Sequence, residues 1–352
     1  MLRCLRHEFI VSELYMLNDE VNLPLDSFTR QSGASLRGAS DRIADPLIHI
    51  GFHKTGSTWL QNIIFSDKAR GFTSDTHEAR HRLVERLVRP DVLDFDATGE
   101  RNYYRKYQEA AHSSGLDLVL SHERLSGYPS SGGHDRTIIA QRLKDMFPNA
   151  RILIVIREQK SLIRSMYSQH ITDGGVEGLD RFLNVPEPAL GRKPSFSMQF
   201  YRFDRLIHHY QQLFGKTGVL VLPFEMLRSD GQKFADRIAD FCGKENVVLP
   251  ENRPVNMKRP LVMQAVQRPL NAVFYHNELS PGALFHIKRF HKRYARLTPL
   301  FMAISPKFLE RRLDQNMQKR IEQHVGSYFG ESNARTQQLT GLSLSEFGYH
   351  VA

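Results

Sequence analysis

Pro46-Leu-Ile-His-Ile-Gly-Phe-His-Lys-Thr-Gly-Ser-Thr-Trp-Leu60 is the stretch on which the fold turns. The apolar run Leu47 to Ile50 reads as a buried strand, broken at Gly51. A polar turn, Lys54-Thr55-Gly56-Ser57-Thr58, follows, and then apolar residues at helical spacing: Trp59, Leu60, Ile63 and Ile64. Strand, glycine-containing turn and helix together aim backbone N–H groups at an anion, and the helix dipole favours its charge. Lys54 adds a mobile ammonium, and the hydroxyls of Thr55, Ser57 and Thr58 add donors. A nucleotide-like anion is the expected ligand. The plainest alternative is a helix start capped by Ser and Thr behind a buried strand.

Gly51 and Gly56 are five apart, as in the phosphate loop of nucleoside triphosphatases, but Ser57 stands where that loop carries its lysine. The lysine here lies inside the loop, at position 54. A second segment bears on the choice. Arg151-Ile-Leu-Ile-Val-Ile-Arg157 reads as another buried strand, and Ser165 follows eight positions after Arg157. In open α/β sheets ligands sit at the carboxyl ends of the strands, where Arg157 falls. A helix starting near Glu158 carries Ser165 about two turns in. Arginine and serine then converge on one phosphate, the first with planar charged donors and the second with a neutral one.

Lys-Thr-Gly-Ser-Thr-Trp resembles the 5′-phosphosulfate loop of sulfotransferases, which use 3′-phosphoadenosine-5′-phosphosulfate (PAPS) as sulfuryl donor. In that family an Arg-x₇-Ser pair holds the donor's 3′-phosphate, the role the resemblance gives to Arg157 and Ser165. The family helix usually begins Arg-Asp-Pro, whereas this chain has Arg157-Glu158-Gln159. Gly218 to Leu227 looks like the family's later strand and acidic turn, with Phe224 where an aromatic touches the adenine. Trp59 follows the loop as in cytosolic members, where it packs against adenine; plain core packing is the equal alternative. Residues 329–349 look like the tail of bacterial members, so the resemblance spans roughly 46–350. The resemblance implies cofactor contacts from Lys54, Thr55, Gly56, Ser57, Thr58, Trp59, Arg157, Ser165 and Phe224. No metal is needed, because lysine and backbone donors replace it. Asn256 and Lys258 match a late donor-contacting loop only loosely.

The acceptor hydroxyl or amine needs a base on the far side of the sulfur. His122 and Glu123, after the strand Leu116 to Leu120, are the candidates. Cytosolic sulfotransferases place a histidine there, and glycan-sulfating and bacterial ones often a glutamate. Histidine titrates near pH 6.5, while glutamate needs burial to raise its pKa. Adjacent residues point apart, so one of the two faces the site, with Glu123 preferred. The other is a surface or ion-paired residue, with Arg124 as its partner.

The chain has 352 residues, 41% of them hydrophobic, enough for one α/β unit with a large core. No apolar run reaches the roughly 18 residues that span a bilayer. Cys4 and Cys242 are the only cysteines, which favours a reducing compartment over a disulfide framework. The expected place is therefore the cytoplasm, with the inner face of the membrane as a further option, and the resemblance to bacterial sulfotransferases implies a bacterial cell. The net charge of +10 suits an anionic donor, and with no zinc-finger spacing or arginine-rich tail no nucleic-acid partner is expected. The 16 histidines show no metal spacing.

Alternating strands and helices predict an α/β, P-loop-like three-layer fold, a central parallel sheet with helices on both faces. Residues 1–45 read as a partly mobile N-terminal extension, and 46–352 as a single sulfotransferase-like domain. A Gly/Pro-rich insertion near 172–197 falls on the acceptor side by resemblance. Residues 76–115 carry helical signals, as do 135–147 and 201–214. In 284–297, Lys288, Lys292 and Arg296 recur every four positions, as on one helix face. A solvated face is the plain account; an anionic glycan or anionic membrane is the functional one. The acceptor classes that fit include a glycan and a glycolipid. Two rivals remain: a small-molecule kinase of the same fold, and a non-enzymatic basic module binding anions or membrane.

Overall fold

The computed structural model describes residues 43–74, 81–184, 196–245, 248–249, 259–277 and 279–352. The extension up to residue 42 with Cys4, the stretch 185–195, and Asn256 and Lys258 lie outside the described residues.

Five strands form one parallel sheet: β1 (Leu47–Gly51), β2 (Phe72–Ser74), β3 (Asp117–Ser121), β4 (Arg151–Ile156) and β5 (Val219–Pro223). Their order is β2-β3-β1-β4-β5, so the chain starts at the centre, runs to the edge with β2, returns to insert β3 beside β1, and then adds β4 and β5 on the other side. On β1, Ile48 pairs with Leu120 and Ile152, and His49 with Ser121 and Leu153. Side chains alternate between faces along a strand. Leu47, Val119, Leu153, Val155 and Leu222 pack in one cluster with Leu60, Ile64, Phe234 and Ile238. The alternate residues Ile48, Ile50, Leu120, Ile152, Ile154 and Ile156 are equally inaccessible. Both faces are therefore covered, which is why these strands read as continuous apolar runs rather than alternating ones. On the second face Phe52 meets Phe203, from helix Phe203–Phe214, at 4.8 Å between ring centres.

Where sequence and structure part, the reasons are local. The short edge strand β2 has no apolar run to announce it, and its pairing with β3 defines it. The helical signals of 76–115 resolve into a turn at Val84–Val88 and a helix at Ala97–Ser113, separated around Pro90. Asp96 starts the second, its carboxylate accepting the Thr98 N–H at 3.0 Å. Helices Gly231–Cys242, Lys307–Val325 and Gly330–Thr340 complete this part of the chain.

Two compact units emerge: Ile43–Gln169 with Glu177–Lys258 and Pro306–Ala352, and a smaller one holding His170–Val176 and Arg259–Ser305. In the smaller unit helix Leu261–Phe274 supplies two buried amides, Gln267 and Asn271, that donate to the Ile171 carbonyl at 3.2 and 2.8 Å. Tyr294 donates to the Met263 carbonyl at 2.8 Å. The basic stretch 284–297 is not one helix. Only Phe290–Ala295 is helical, and Arg289, at φ 58°, turns the chain into it from a left-handed conformation. Lys288 therefore falls outside the helix, and the four-residue register expected for Lys288, Lys292 and Arg296 does not hold. Six helical residues make fewer than two turns.

Candidate active site

The loop between β1 and the first helix is shaped by two left-handed residues, Lys54 at φ 65° and Gly56 at φ 89°. A left-handed lysine is strained backbone, a state found where function fixes it. Thr55, fully buried, donates its hydroxyl to the Phe52 carbonyl at 2.5 Å and clamps the turn. A Cβ on Gly51 would lie 2.8 Å from Ser57 Oγ and 2.9 Å from His49 Nε2, so the strand must end in glycine here. A Cβ on Gly56 would lie 3.0 Å from both Phe224 and Leu227. The helix opens as an α turn, Ser57–Trp59, and widens into a π turn, Leu60–Ile64. Ser57 Oγ is buried and has no hydrogen-bond partner among the described residues. Lys54 and Thr58 are exposed, and Trp59 is partly buried against the core cluster. A hydroxyl at the start of a helix is placed to donate to an anion.

Arg157, at the end of β4, reaches back to this loop. Its Nη1 donates to the Lys54 carbonyl at 2.9 Å, and its Nε to Ser161 Oγ at 2.8 Å. The guanidinium also sits over the Phe224 ring, 5.0 Å from its centre. Ser161 thus holds the arginine, and Ser165 lies one turn further on, on the same face of helix Gln159–Thr172. Glu158 starts that helix, its carboxylate accepting the N–H groups of Lys160 at 2.8 Å and Ser161 at 2.7 Å. The acid does by side chain what the family's Asp-Pro does at this point. The Glu158 N–H donates to Glu225 at 3.1 Å, and Tyr349 donates its hydroxyl to the other Glu225 oxygen at 3.1 Å. Burial raises the Glu225 carboxyl against these partners, and burial together with Glu225 raises the Tyr349 phenol. Residues from three distant parts of the sequence thus brace the turn that carries Arg157.

At the end of β3 the chain makes a tight turn, Glu123–Ser126, capped by His122, whose Nδ1 accepts the Arg124 N–H at 3.0 Å. That bond keeps the Nδ1 face of His122 unprotonated. Arg124 pairs with Asp135 rather than with Glu123 or His122, so the ion pair expected for the non-catalytic member is replaced by another. Glu123 is partly exposed and lies 3.8 Å from His122 Nδ1. Burial pushes its carboxyl up, but His122, His53, its own backbone and His49 more than offset this, and its pKa is lowered. Burial pulls His49 and His53 down to about 4, against the attraction of Glu123. Glu123 thus stands among three imidazoles, two of which, His49 and His53, burial holds neutral. His49 is fixed by Ser121 Oγ at 2.8 Å, and Gln61 donates to the same hydroxyl at 3.1 Å. Both ring nitrogens of His53 are buried with no hydrogen-bond partner among the described residues. No three His, Cys, Asp or Glu side chains among the described residues are gathered closely enough to hold a metal ion.

The model of the sulfotransferase family matches residues 46–246, more than half of the chain. The chain belongs to the sulfotransferase family. Its solved neighbours include a sulfotransferase from Alicyclobacillus acidocaldarius, 17% identical, with a TM-score of 0.43, covering 72% of this chain and 100% of that one. Another is the sulfotransferase domain from the curacin biosynthetic pathway, 14% identical, with a TM-score of 0.39, covering 88% and 99%. No curated protein sequence matches the chain.

Of the residues singled out in the sequence, Lys54, Gly56, Arg157 and Phe224 are linked by direct contacts in this sulfotransferase. His122 and Glu123 close the end of the neighbouring strand, within electrostatic reach of the loop through His53. Residues 49, 53, 158, 161, 225 and 349 escaped the sequence reading. His53 adjoins the loop lysine and was legible as a polar residue where the strand ends. The others reveal themselves only through partners far away in the chain.

Proposed function

We propose that this sulfotransferase moves a sulfuryl group from PAPS to a hydroxyl or amine of an acceptor, with a glycan or glycolipid as the acceptor class. The observation that carries the reading is the Arg157 to Lys54 carbonyl bond, which joins two anion-binding motifs 103 residues apart. The donor supplies an activated sulfuryl group on its 5′-phosphate. Lys54 and the N–H groups of residues 55–58 hold that phosphate and take up the charge left on it as the S–O bond breaks. Arg157, with Ser161 and Ser165 along one helix face, holds the 3′-phosphate. Phe224, between Gly56 and Arg157, and Trp59 offer faces to the adenine. Glu123, kept ionised by the imidazoles around it, takes the proton from the acceptor hydroxyl as its oxygen bonds to sulfur. His122 acts chiefly by orienting the turn, since its Nδ1 is occupied by the Arg124 N–H.

The stretch 172–197 is assigned to the acceptor on the resemblance. Cys242, buried and with its thiol pushed up to about 11 by that burial, is an unreactive core residue and supports a cytoplasmic setting. Calorimetry with 3′-phosphoadenosine-5′-phosphate tests the donor site. Saturable binding, lost in Arg157→Ala and much weaker for ATP, is expected. A preference for magnesium-ATP would replace the sulfotransferase reaction with a kinase.

A further inference from the structure

The smaller unit carries a surface the transfer reaction does not use. From Leu279 to Leu309 the chain contains no Asp or Glu, while Lys288, Arg289, Lys292, Arg293 and Arg296 fall within nine residues. Four of these five are exposed, and Lys292 is half-buried. Beside them stands helix Thr298–Ile304, Thr-Pro-Leu-Phe-Met-Ala-Ile, which has no buried residue. Leu300 is 53% exposed, Ile304 61% and Leu284 74%. Phe285, Leu297 and Met302 are exposed as well.

The segment is nevertheless anchored. Phe290 and Tyr294 stack at 5.9 Å, Tyr294 meets Phe301 at 6.0 Å, and Phe274 meets Phe285 at 6.2 Å. The inner side is thus an aromatic ladder against helix Leu261–Phe274. The outer side is aliphatic and cationic. A helix that leaves Leu300, Met302 and Ile304 exposed keeps apolar surface in water, at a cost in free energy unless something covers it.

We propose that residues 284–304 dock this protein on an anionic lipid bilayer. Charge selects the occupant. The core of a protein interface is depleted of charge, lysine above all, whereas this face sets apolar side chains among five cations with no acid between them to pair with. That mixture matches the headgroup boundary, where aliphatic tips enter the acyl region and Lys and Arg meet phosphates. The helices of six and seven residues are too short to cross, so they lie in the interface plane. The inference does not rest on the donor reading.

Vesicle flotation with the full chain tests it. Vesicles of phosphatidylcholine containing phosphatidylglycerol are compared with phosphatidylcholine alone, at low and high salt. Binding to the anionic vesicles, at least about tenfold stronger and weakened by salt, is expected. Arg293→Glu with Arg296→Glu, and separately Leu300→Ser with Ile304→Ser, should each lower it about tenfold or more with thermal melting unchanged. Absence of binding by the unaltered chain, or equal salt-independent binding to both vesicles, would overturn the proposal. So would self-association that Leu300→Ser with Ile304→Ser abolishes while vesicles are ignored, which would assign the face to a second copy.

Discussion

The carboxyl ends of β1, β3 and β4 and the face formed by 284–304 are both rich in cations, but they hold them differently. Arg157 is pinned by Ser161 and the Lys54 carbonyl above the Phe224 ring, and Arg124 by Asp135. Arg293 and Arg296 stand exposed on a six-residue helix and at its end, in a stretch without acids. Fixed cations cost no reorganisation when charge develops at one place, which transfer chemistry requires. Loosely held cations suit a diffuse, two-dimensional charge such as a lipid surface. The same residue type therefore serves geometry in one region and field in the other.

The sharpest way to break this contrast is Lys54→Ala. If the pinned region acts by electrostatic fit, turnover should fall about 10²–10³-fold with stability little changed, read as steady-state release of 3′-phosphoadenosine-5′-phosphate. A fall of only a few-fold would make the loop a binding element and nothing more.

Acid should separate the regions next. His49 is neutral in the fold with a pKa of about 4, and titrates near 6.5 when unfolded. Between these values the unfolded chain binds more protons, so stability rises with pH and is lost as pH falls from 6.5 towards 4. The ceiling for this one group is about 3 kcal/mol. Urea unfolding at pH 7 and 4.5 checks it, and His49→Gln should flatten the dependence.

Gly56→Ala forces a side chain into a left-handed position 3.0 Å from Phe224 and Leu227. A loss of about 1–3 kcal/mol is expected, with weaker 3′-phosphoadenosine-5′-phosphate binding in calorimetry. Smaller still is Tyr349→Phe, which removes one hydrogen bond to the buried Glu225 carboxylate, about 1–2 kcal/mol in chemical denaturation. Its effect should reach donor affinity through Glu158 and Arg157, which an exposed phenylalanine substitution elsewhere would not do. Arg293→Glu with Arg296→Glu is the smallest, within about 0.5 kcal/mol of stability, because both side chains are exposed and neither forms an ion pair among the described residues.

Much of the donor end was legible in sequence because its signals are local. A run such as Ile152-Leu-Ile-Val-Ile156 has no polar partner to satisfy except another strand, and its buried faces follow from that. Lys54 and Gly56 were visible because a tight anion loop needs special backbone and short polar side chains. The Ser161 hydroxyl beside Arg157 was not legible, because it depends on where Glu158 caps the helix, with Gln159 standing where the family has proline. The basic stretch misled for the opposite reason. Charge periodicity was read as a helix, but the left-handed turn at Arg289 and the aromatic anchors at Phe290, Tyr294 and Phe301 decide where the helix lies.

By itself the sequence determined the parallel α/β sheet, the glycine-containing loop after β1 and the arginine at the end of β4, since each depends on residues adjacent in the chain. Only the tertiary structure decided which serine supports that arginine, that Tyr349 and Glu225 brace its turn, and that three imidazoles surround Glu123. It alone also left an apolar helix uncovered beside a band of cations. The reason is physical: local backbone preference and burial pattern are written in neighbouring residues, whereas the pairing of buried polar groups is settled by distant segments that must satisfy one another once water is excluded.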